Sequence, residues 1–178
     1  MALNLESLDE ITRRHMLAEL DRDEGQRGSP YISERLSPQG VAAYPNAIRE
    51  AIANGDDTTL QAVLEEPGML NSHDKSYVSK NGKLVTPKMN VRAPQTLAEG
   101  EFNRYYVRGL CARLCAEGGG NVEVYRARKS SWERPESQAL IGTQIDANEL
   151  LEDLRSHIGE EPALLPDVNS GLSIRLIV

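Results

Sequence analysis

Aromatic residues and long apolar runs are both scarce in this chain. Only one Trp, one Phe and six Tyr occur among 178 residues, so aromatics make up 4% of the sequence. A hydrophobic core must therefore be built mainly from Leu, Ile, Val and Ala. No apolar run approaches the roughly 20 residues that a membrane-spanning helix needs. The composition, with 39% hydrophobic and 26% charged residues, predicts one globular domain that is not inserted in a membrane.

Cysteine is also rare, with only Cys111 and Cys115 present. Two cysteines are too few for a disulfide framework and indicate synthesis in a reducing compartment. The acidic first ten residues lack the basic and then apolar pattern of a signal peptide, which favours a cytoplasmic location. One helical turn separates the two cysteines, but His15, His73 and His157 do not cluster with them, so we expect buried thiols and no metal site.

Recognised catalytic motifs are missing as well. The sequence contains no serine nucleophile elbow, no His-Glu-x-x-His motif and no calcium-loop spacing. Three consecutive glycines, residues 118–120, follow a helical pattern, whereas a phosphate-binding loop precedes a helix. We interpret them as a helix end. These absences favour a protein that is not an enzyme and that uses no cofactor.

The strongest positive signal is a long helix predicted over residues 96–118. Thr96 is in position to cap its start, with Glu99 completing a capping box. Its apolar residues fall on two sides at helical spacing: Ala98, Phe102, Tyr105, Tyr106 and Gly109 on one, Val107, Leu110, Cys111 and Leu114 on the other. Because a helix that is apolar on two sides packs against two layers, we expect it at the centre of the fold.

The remaining pattern predicts an α+β fold in a single domain, residues 1–178. Helices are expected over residues 8–23 (capped by Ser7), 38–54 (capped by Ser37, and kinked or split at Pro45), 58–65 and 147–157. Strands 122–128 and 172–178 should pair in a small antiparallel sheet packed on the long helix, and residues 139–145 fit a short strand or a helical turn. Asn81-Gly82 predicts a two-residue type I′ turn in a hairpin arm, residues 71–95, that protrudes after the helical part, residues 1–70.

Charge is strongly segregated along the chain. Residues 75–134 carry 12 basic and 5 acidic side chains, whereas the flanking segments are acidic and the whole chain has net charge −7. This pattern fits neutralisation within one fold, an anionic ligand, or complementary contacts between copies of the chain. The candidate binding residues are the cations of this segment with its single tryptophan: Lys75, Lys80, Lys83, Lys88, Arg92, Arg126, Arg128, Lys129, Trp132 and Arg134.

Nucleic acid is the alternative target for these residues, since lysines and arginines neutralise phosphates. Aromatic residues for base stacking are few, however, because Trp132 and Tyr125 stand nearly alone. We therefore favour contacts with protein, either another copy of this chain or another protein of an assembly. The arm, residues 74–94, and the loop, residues 129–137, are the expected contact segments.

A third interpretation is a small enzyme built on the long helix. Glu101, Arg104 and Arg108 form a charged row with Tyr105 beside it, and arginines of this kind can hold a catalytic carboxylate. A ladder of salt bridges within the helix is the commoner role for charges at this spacing.

Four segments within residues 96–178 carry a resemblance to known proteins: LAEGEFNRYYVRGLCARL, EVYRARK, RPESQALIG and NSGLSIRL. They resemble small uncharacterised proteins encoded in bacterial and prophage genomes. That resemblance implies a phage or mobile-element setting and brings no catalytic motif. We therefore predict a structural or assembly protein, such as a virion or head-associated component of a phage, that makes subunit contacts through its basic arm.

Overall fold

The computed structural model describes residues 2–128, 135–166 and 170–177. The helices are α1 (Glu10–Arg27), α2 (Pro38–Asn54), α3 (Asp57–Leu64), α4 (Ala93–Ala116), α5 (Pro135–Leu140) and α6 (Ala147–Ser156). The strands are β1 (Tyr77–Val78), β2 (Leu84–Val85), β3 (Asn121–Arg126), β4 (Gln144–Asp146) and β5 (Leu172–Leu176). A two-stranded hairpin and a three-stranded antiparallel sheet accompany a long central helix, which confirms the predicted α+β class.

Helix α4 is the centre of the fold, as its two apolar sides predicted. All residues from 97 to 111 are buried, and α1, α3, α6 and β5 pack around it. Gly109 allows α1 to come close, because a Cβ at this position would lie 2.5 Å from Cγ of Met16 and 2.8 Å from its backbone nitrogen. The glycine is therefore a requirement of helix packing at this crossing.

The predicted start of α4 is wrong, whereas its predicted end is close. The helix begins at Ala93 because Pro94 lies in its first turn, where a missing backbone N–H costs nothing. Arg92 precedes it and makes no side-chain capping hydrogen bond, so the capping box expected from Thr96 does not form. Gly118 and Gly119 follow the last turn with φ of 115° and 86°, as a glycine helix end requires.

The helical N-terminal part forms as predicted, with different bounds for α1. Asp9, and not Ser7, caps α1 by accepting the Thr12 N–H at 2.8 Å, and the helix continues to Gly28, whose φ is 81°. Helix α2 starts after its Ser37 cap and continues through Pro45 without a split. Asp56 caps α3.

The three-stranded sheet has the order β4-β3-β5. Strands β3 and β5 are antiparallel, with Val124 opposite Ile174, which confirms the predicted pairing. Residues 139–145, for which the sequence allowed a short strand or a helical turn, contain the end of α5 and the start of β4. Asn103 of α4 ties the helix to the sheet: its Nδ2 donates to the Leu172 carbonyl at 2.9 Å, and its Oδ1 accepts from the Ser173 hydroxyl at 2.7 Å.

In the structure the arm comprises residues 71–92, because α4 begins at Ala93, and it leaves the body between α3 and α4. Two backbone hydrogen bonds close its base, from Met89 N–H to the Ser72 carbonyl and from Asp74 N–H to the Pro87 carbonyl, each 2.9 Å. Beyond this base the chain forms the β1–β2 hairpin, which lies largely in solvent.

The hairpin has a different turn from the predicted one. Ser79 N–H donates to the Lys83 carbonyl at 2.8 Å, and Gly82 N–H donates to the Ser79 carbonyl at 2.9 Å, so three residues form the loop. Gly82 has φ of 73°, whereas Asn81 does not take a positive φ. This is the pattern of a type I turn followed by a left-handed glycine, and the type I′ prediction is wrong.

No helix within the described residues is both long enough and apolar enough to cross a membrane.

Candidate functional site

The five basic residues predicted on the arm all lie at its surface. They are Lys75, Lys80, Lys83, Lys88 and Arg92, and each side chain is exposed. Lys75 lies 3.3 Å from the Glu34 carboxylate, but the two side chains are 78% and 77% exposed. Exposed ion pairs of this kind contribute about 0–1 kcal/mol, so Lys75 can exchange Glu34 for another anion at little cost.

Large apolar side chains are exposed on the same arm. Val78 and Leu84 face each other across the hairpin and are 67% and 66% exposed, and the neighbouring Tyr77 is 55% exposed. Val91, near the start of α4, is 93% exposed. An apolar cluster on a protruding hairpin is typical of a surface that another molecule covers.

The predicted cations in β3 and just after it, Arg126 and Arg128, have a different environment from those of the arm. Nη1 of Arg128 lies 3.0 Å from the carboxylate of Glu99, which is 3% exposed, so Arg128 compensates a buried charge. Arg126 is half-buried in β3. The other predicted residues, Lys129, Trp132 and Arg134, lie outside the described residues. The structure therefore places the five cations at the surface of the arm and gives Arg128 a partner within the fold.

Helix α4 carries a fully buried cation, Arg108. Its guanidinium donates to the Glu19 carboxylate at 2.9 Å and to both oxygens of Asp23 at 2.7 and 2.9 Å. Tyr105 also donates to Asp23, at 2.8 Å, and Arg155 of α6 donates to Glu19 at 2.6 Å. Burial alone would raise the pKa of Glu19, but Arg155 and Arg108 bring the pKa below its ordinary value.

This network corrects the expected salt-bridge ladder within α4. The partners of Arg108 are on α1, because α4 is buried on all sides and its charged residues meet neighbouring helices. The two acids lie four residues apart, at helical spacing, and this was the signal available in the sequence. Tyr105 and Arg108 thus connect α4 to the carboxylates of α1.

Beside this network a cleft of about 690 Å³ opens to solvent. One wall is a row of α4, and three connecting segments form the other walls: the chain after α1, the base of the arm and the chain after α6. The charged residues that line it are Glu34, Arg35, Asp74, Lys75, Glu101, Arg104, Glu160 and Glu161. The sequence analysis singled out Glu101 and Arg104 but did not group them with the other segments.

Arg104 has an unusual environment in this cleft. It is 5% exposed, and its Nε and Nη1 atoms are buried without a hydrogen-bond partner among the described residues. Its guanidinium carbon lies 5.7 Å from the centre of the Tyr31 ring, a cation–π contact that leaves the N–H groups unsatisfied. Buried polar groups are rarely left in this state, so a ligand or bound water is the physical explanation to consider.

Tyr44 lies under the same region of α4. Its hydroxyl is buried without a hydrogen-bond partner in the described residues, and burial together with the charge of Glu101 raises its pKa well above the ordinary value. Tyr44 therefore stays protonated. Of these two buried donors, Arg104 lines the cleft. Its planar guanidinium is the group best suited to a carboxylate or a phosphate.

Cys111 is a buried thiol, as predicted, whereas Cys115 is only half-buried. Both are free thiols, and burial raises the pKa of each. In the described part of the chain, no group of three or more His, Cys, Asp or Glu side chains is placed to hold a metal ion.

Comparison with known proteins adds no assignment. No protein-family model, curated protein or solved structure matches this chain. The resemblance of residues 96–178 to prophage-encoded proteins therefore stays a prediction.

Proposed function

We propose that this protein is a non-enzymatic assembly component whose arm binds a second copy of the same chain. The observation that carries the proposal is the exposed hairpin, on which the apolar pair Val78 and Leu84 is flanked in sequence by Lys80 and Lys83. A hairpin of two short strands is marginally stable in water by itself. Docking on a partner would bury its apolar side chains and stabilise its conformation.

Charge complementarity favours another copy of this chain as the partner. Residues 71–95 contain five basic residues and one acidic residue, whereas the rest of the chain contains 15 basic and 26 acidic residues. The arm of one copy would therefore meet a net acidic body on the next. Opposite potentials of this kind speed association and fix the orientation of the partners.

The backbone of the hairpin provides a second means of attachment. Strands β1 and β2 pair only with each other in the described structure, so the outer edge of each strand is open. An open edge can accept a strand from another molecule through main-chain hydrogen bonds. The hairpin of one copy could in this way extend the hairpin of another.

The setting we propose is an assembly in the bacterial cytoplasm or in a phage virion, as the resemblance of residues 96–178 implies. A nucleic-acid-binding accessory protein is the alternative, because the same exposed lysines can neutralise phosphates. The assembly protein and the nucleic-acid-binding protein differ in the role of the apolar residues on the arm. Association between proteins requires Val78 and Leu84, whereas phosphate binding requires only the cations.

The test compares two double variants of the arm by light scattering. We expect V78S/L84S to weaken self-association at every salt concentration, and K80Q/K83Q to weaken it chiefly at low salt, where charge attraction is least screened. The matched control is R22Q/R27Q, which removes two exposed cations from α1 and should leave association unchanged. Unchanged association in both arm variants would contradict the proposal.

Binding of duplex DNA or single-stranded RNA by the same proteins tests the alternative. If the wild type binds nucleic acid with a steep salt dependence, and K80Q/K83Q alone loses it, the arm serves nucleic acid. If V78S/L84S loses association and no variant binds nucleic acid, the assembly proposal stands.

A further inference from the structure

We propose that the cleft beside α4 binds a small molecule that carries both a carboxylate and a cationic amino or guanidino group, such as a basic amino acid. This site is separate from the exposed hairpin. Its volume, about 690 Å³, is within the range of clefts that hold small ligands. The ligand class follows from the charges in two parts of the cleft. The floor is the α4 wall, with Glu101 and Arg104, and the rim is formed by the charged residues of the three connecting segments.

Arg104 on the floor sets the first requirement. This side chain lines the cleft, is 95% buried and has two N–H-bearing atoms without a hydrogen-bond partner in the described residues. A buried and unsatisfied guanidinium is costly, so a protein that keeps one gains from a group that binds it. In a guanidinium, Nη2 shares one edge with Nε and the other with Nη1, so each unsatisfied atom belongs to a two-donor fork with Nη2. A ligand carboxylate can accept from such a fork, whereas an ammonium cannot accept a hydrogen bond.

The rim sets the second requirement. Glu34 and Asp74 lie beside the basic residues Lys75 and Arg35, at 3.3 and 3.1 Å, so these charges largely offset each other. Glu160 and Glu161 follow α6 at another wall, and within the described chain no basic side chain pairs with either carboxylate. The rim is therefore net acidic, which disfavours polyanions such as nucleoside triphosphates and favours a cation.

Glu101 lies on the same wall, one helical turn before Arg104, and is 4% exposed, so it offers a ligand little surface. A single carboxylate on Arg104, with a cationic group extended towards Glu160 and Glu161, satisfies both ends of the cleft.

The direct test is an NMR titration of the isotope-labelled full chain with L-lysine, followed through backbone amide shifts. We expect saturable shifts at Tyr31, Gly100 and Glu161, which line the cleft, with a dissociation constant of about 1 mM or tighter. L-lysine methyl ester lacks the carboxylate and acetate lacks the cation. At matched ionic strength, each should bind at least about tenfold more weakly, since one charge-assisted contact is lost.

Variants then assign each half of the ligand. R104Q should weaken L-lysine binding by at least about tenfold, and R104K should restore part of it, because an ammonium keeps the charge but loses the fork. E160Q/E161Q should weaken L-lysine binding, whereas acetate binding should not weaken and should become slightly stronger, because two negative charges are removed. R113Q, on the same helix but outside the cleft, is the control and should bind as the wild type does.

Two outcomes would overturn the inference. One is the absence of saturable shifts with L-lysine, which would mean that water satisfies Arg104. The other is equal binding of L-lysine and its methyl ester, a comparison made on the native chain that holds even if R104Q does not fold. The cleft and the β1–β2 hairpin share no residues, so the titration and the association experiments succeed or fail independently.

Discussion

Arg104 and Arg108 lie one turn apart on the same buried helix, yet among the described residues only Arg108 has carboxylate partners. Arg108 is 0% exposed and is held by Glu19 and Asp23 of α1. Arg104 is 5% exposed, and two of its three nitrogens are without a hydrogen-bond partner in the described structure. The same residue type in nearly the same environment thus has a structural role at one position and faces an open cleft at the other.

Substitution by methionine should separate these two roles. R108M leaves Glu19 and Asp23 without their shared cation, so we expect it to lower the free energy of unfolding by about 3 kcal/mol. R104M removes no hydrogen bond found in the structure and should change the stability by less than about 1 kcal/mol in either direction. Urea unfolding of the two variants beside the wild type measures the difference. Equal losses would show that Arg104 also holds the fold together.

Much of the fold could be predicted from local sequence signals. Helix α2 with its Ser37 cap, helix α6 with its Asp146 cap, and the pairing of β3 with β5 follow from capping residues and alternation over short distances. The predicted starts of α1 and α4 were wrong. Asp9 caps α1 in place of Ser7, and α4 begins before Thr96, with Pro94 in its first turn.

The candidate site was only partly predictable. The arm was found because its five cations lie within one short stretch, residues 75–92, and its turn is marked by Asn81-Gly82. The cleft was missed because its lining comes from four segments that are far apart in the chain, so no spacing rule connects Arg104 with Tyr31 or Glu161. The burial of Arg108 could not be predicted either, because its carboxylate partners are on another helix.

Gly109 and Gly25 provide a matched pair of glycine-to-alanine tests in helices. At Gly109 the added Cβ would meet Met16 at 2.5 Å, partly against its backbone, whereas at Gly25 nothing lies within 4 Å. We expect G109A to cost about 2 kcal/mol or more, because α1 must move away from α4. G25A should instead stabilise the protein by about 0.5–1 kcal/mol through helix propensity. Thermal unfolding should show the loss of stability in G109A and the gain in G25A. Stabilisation by G109A would contradict the packing of α1 on α4.

The raised pKa of Asp57, the first residue of α3, predicts that the protein loses stability as the pH rises. Burial raises its pKa from 3.8 to about 6, although its carboxylate accepts the Leu3 N–H at 3.1 Å. Between these two values the folded chain binds more protons than the unfolded chain, so stability falls as the pH rises from about 4 to about 6. The contribution is up to about 3 kcal/mol. D57N should remove this decrease, as measured by urea unfolding at pH 4 and pH 7.

The neighbouring Asp56 is the control for this pH dependence. Hydrogen bonding from Thr58 is the main cause that lowers the pKa of Asp56, and Thr59 contributes as well. Its contribution to stability is therefore present above pH 3.8 and is lost as the pH falls towards the lowered value. D56N should keep the α3 cap, because asparagine caps a helix as well as aspartate does. It removes one of the charges that raise the pKa of Asp57, but burial is the main cause, so most of the decrease between pH 4 and 6 should stay. If D57N keeps that decrease, Asp57 is not its source.

Self-association through the arm is tested by the mass of the purified wild-type protein in light scattering at low and high salt, with the ratio of absorbance at 260 and 280 nm recorded. We expect a defined oligomer that is free of nucleic acid and that weakens as salt increases. The oligomer should be lost when residues 76–86 are replaced by a short glycine-rich turn. The replacement keeps the two hydrogen bonds that close the base of the arm, so the body should stay folded. A monomer at both salt concentrations, with or without the hairpin, would contradict self-association through the arm.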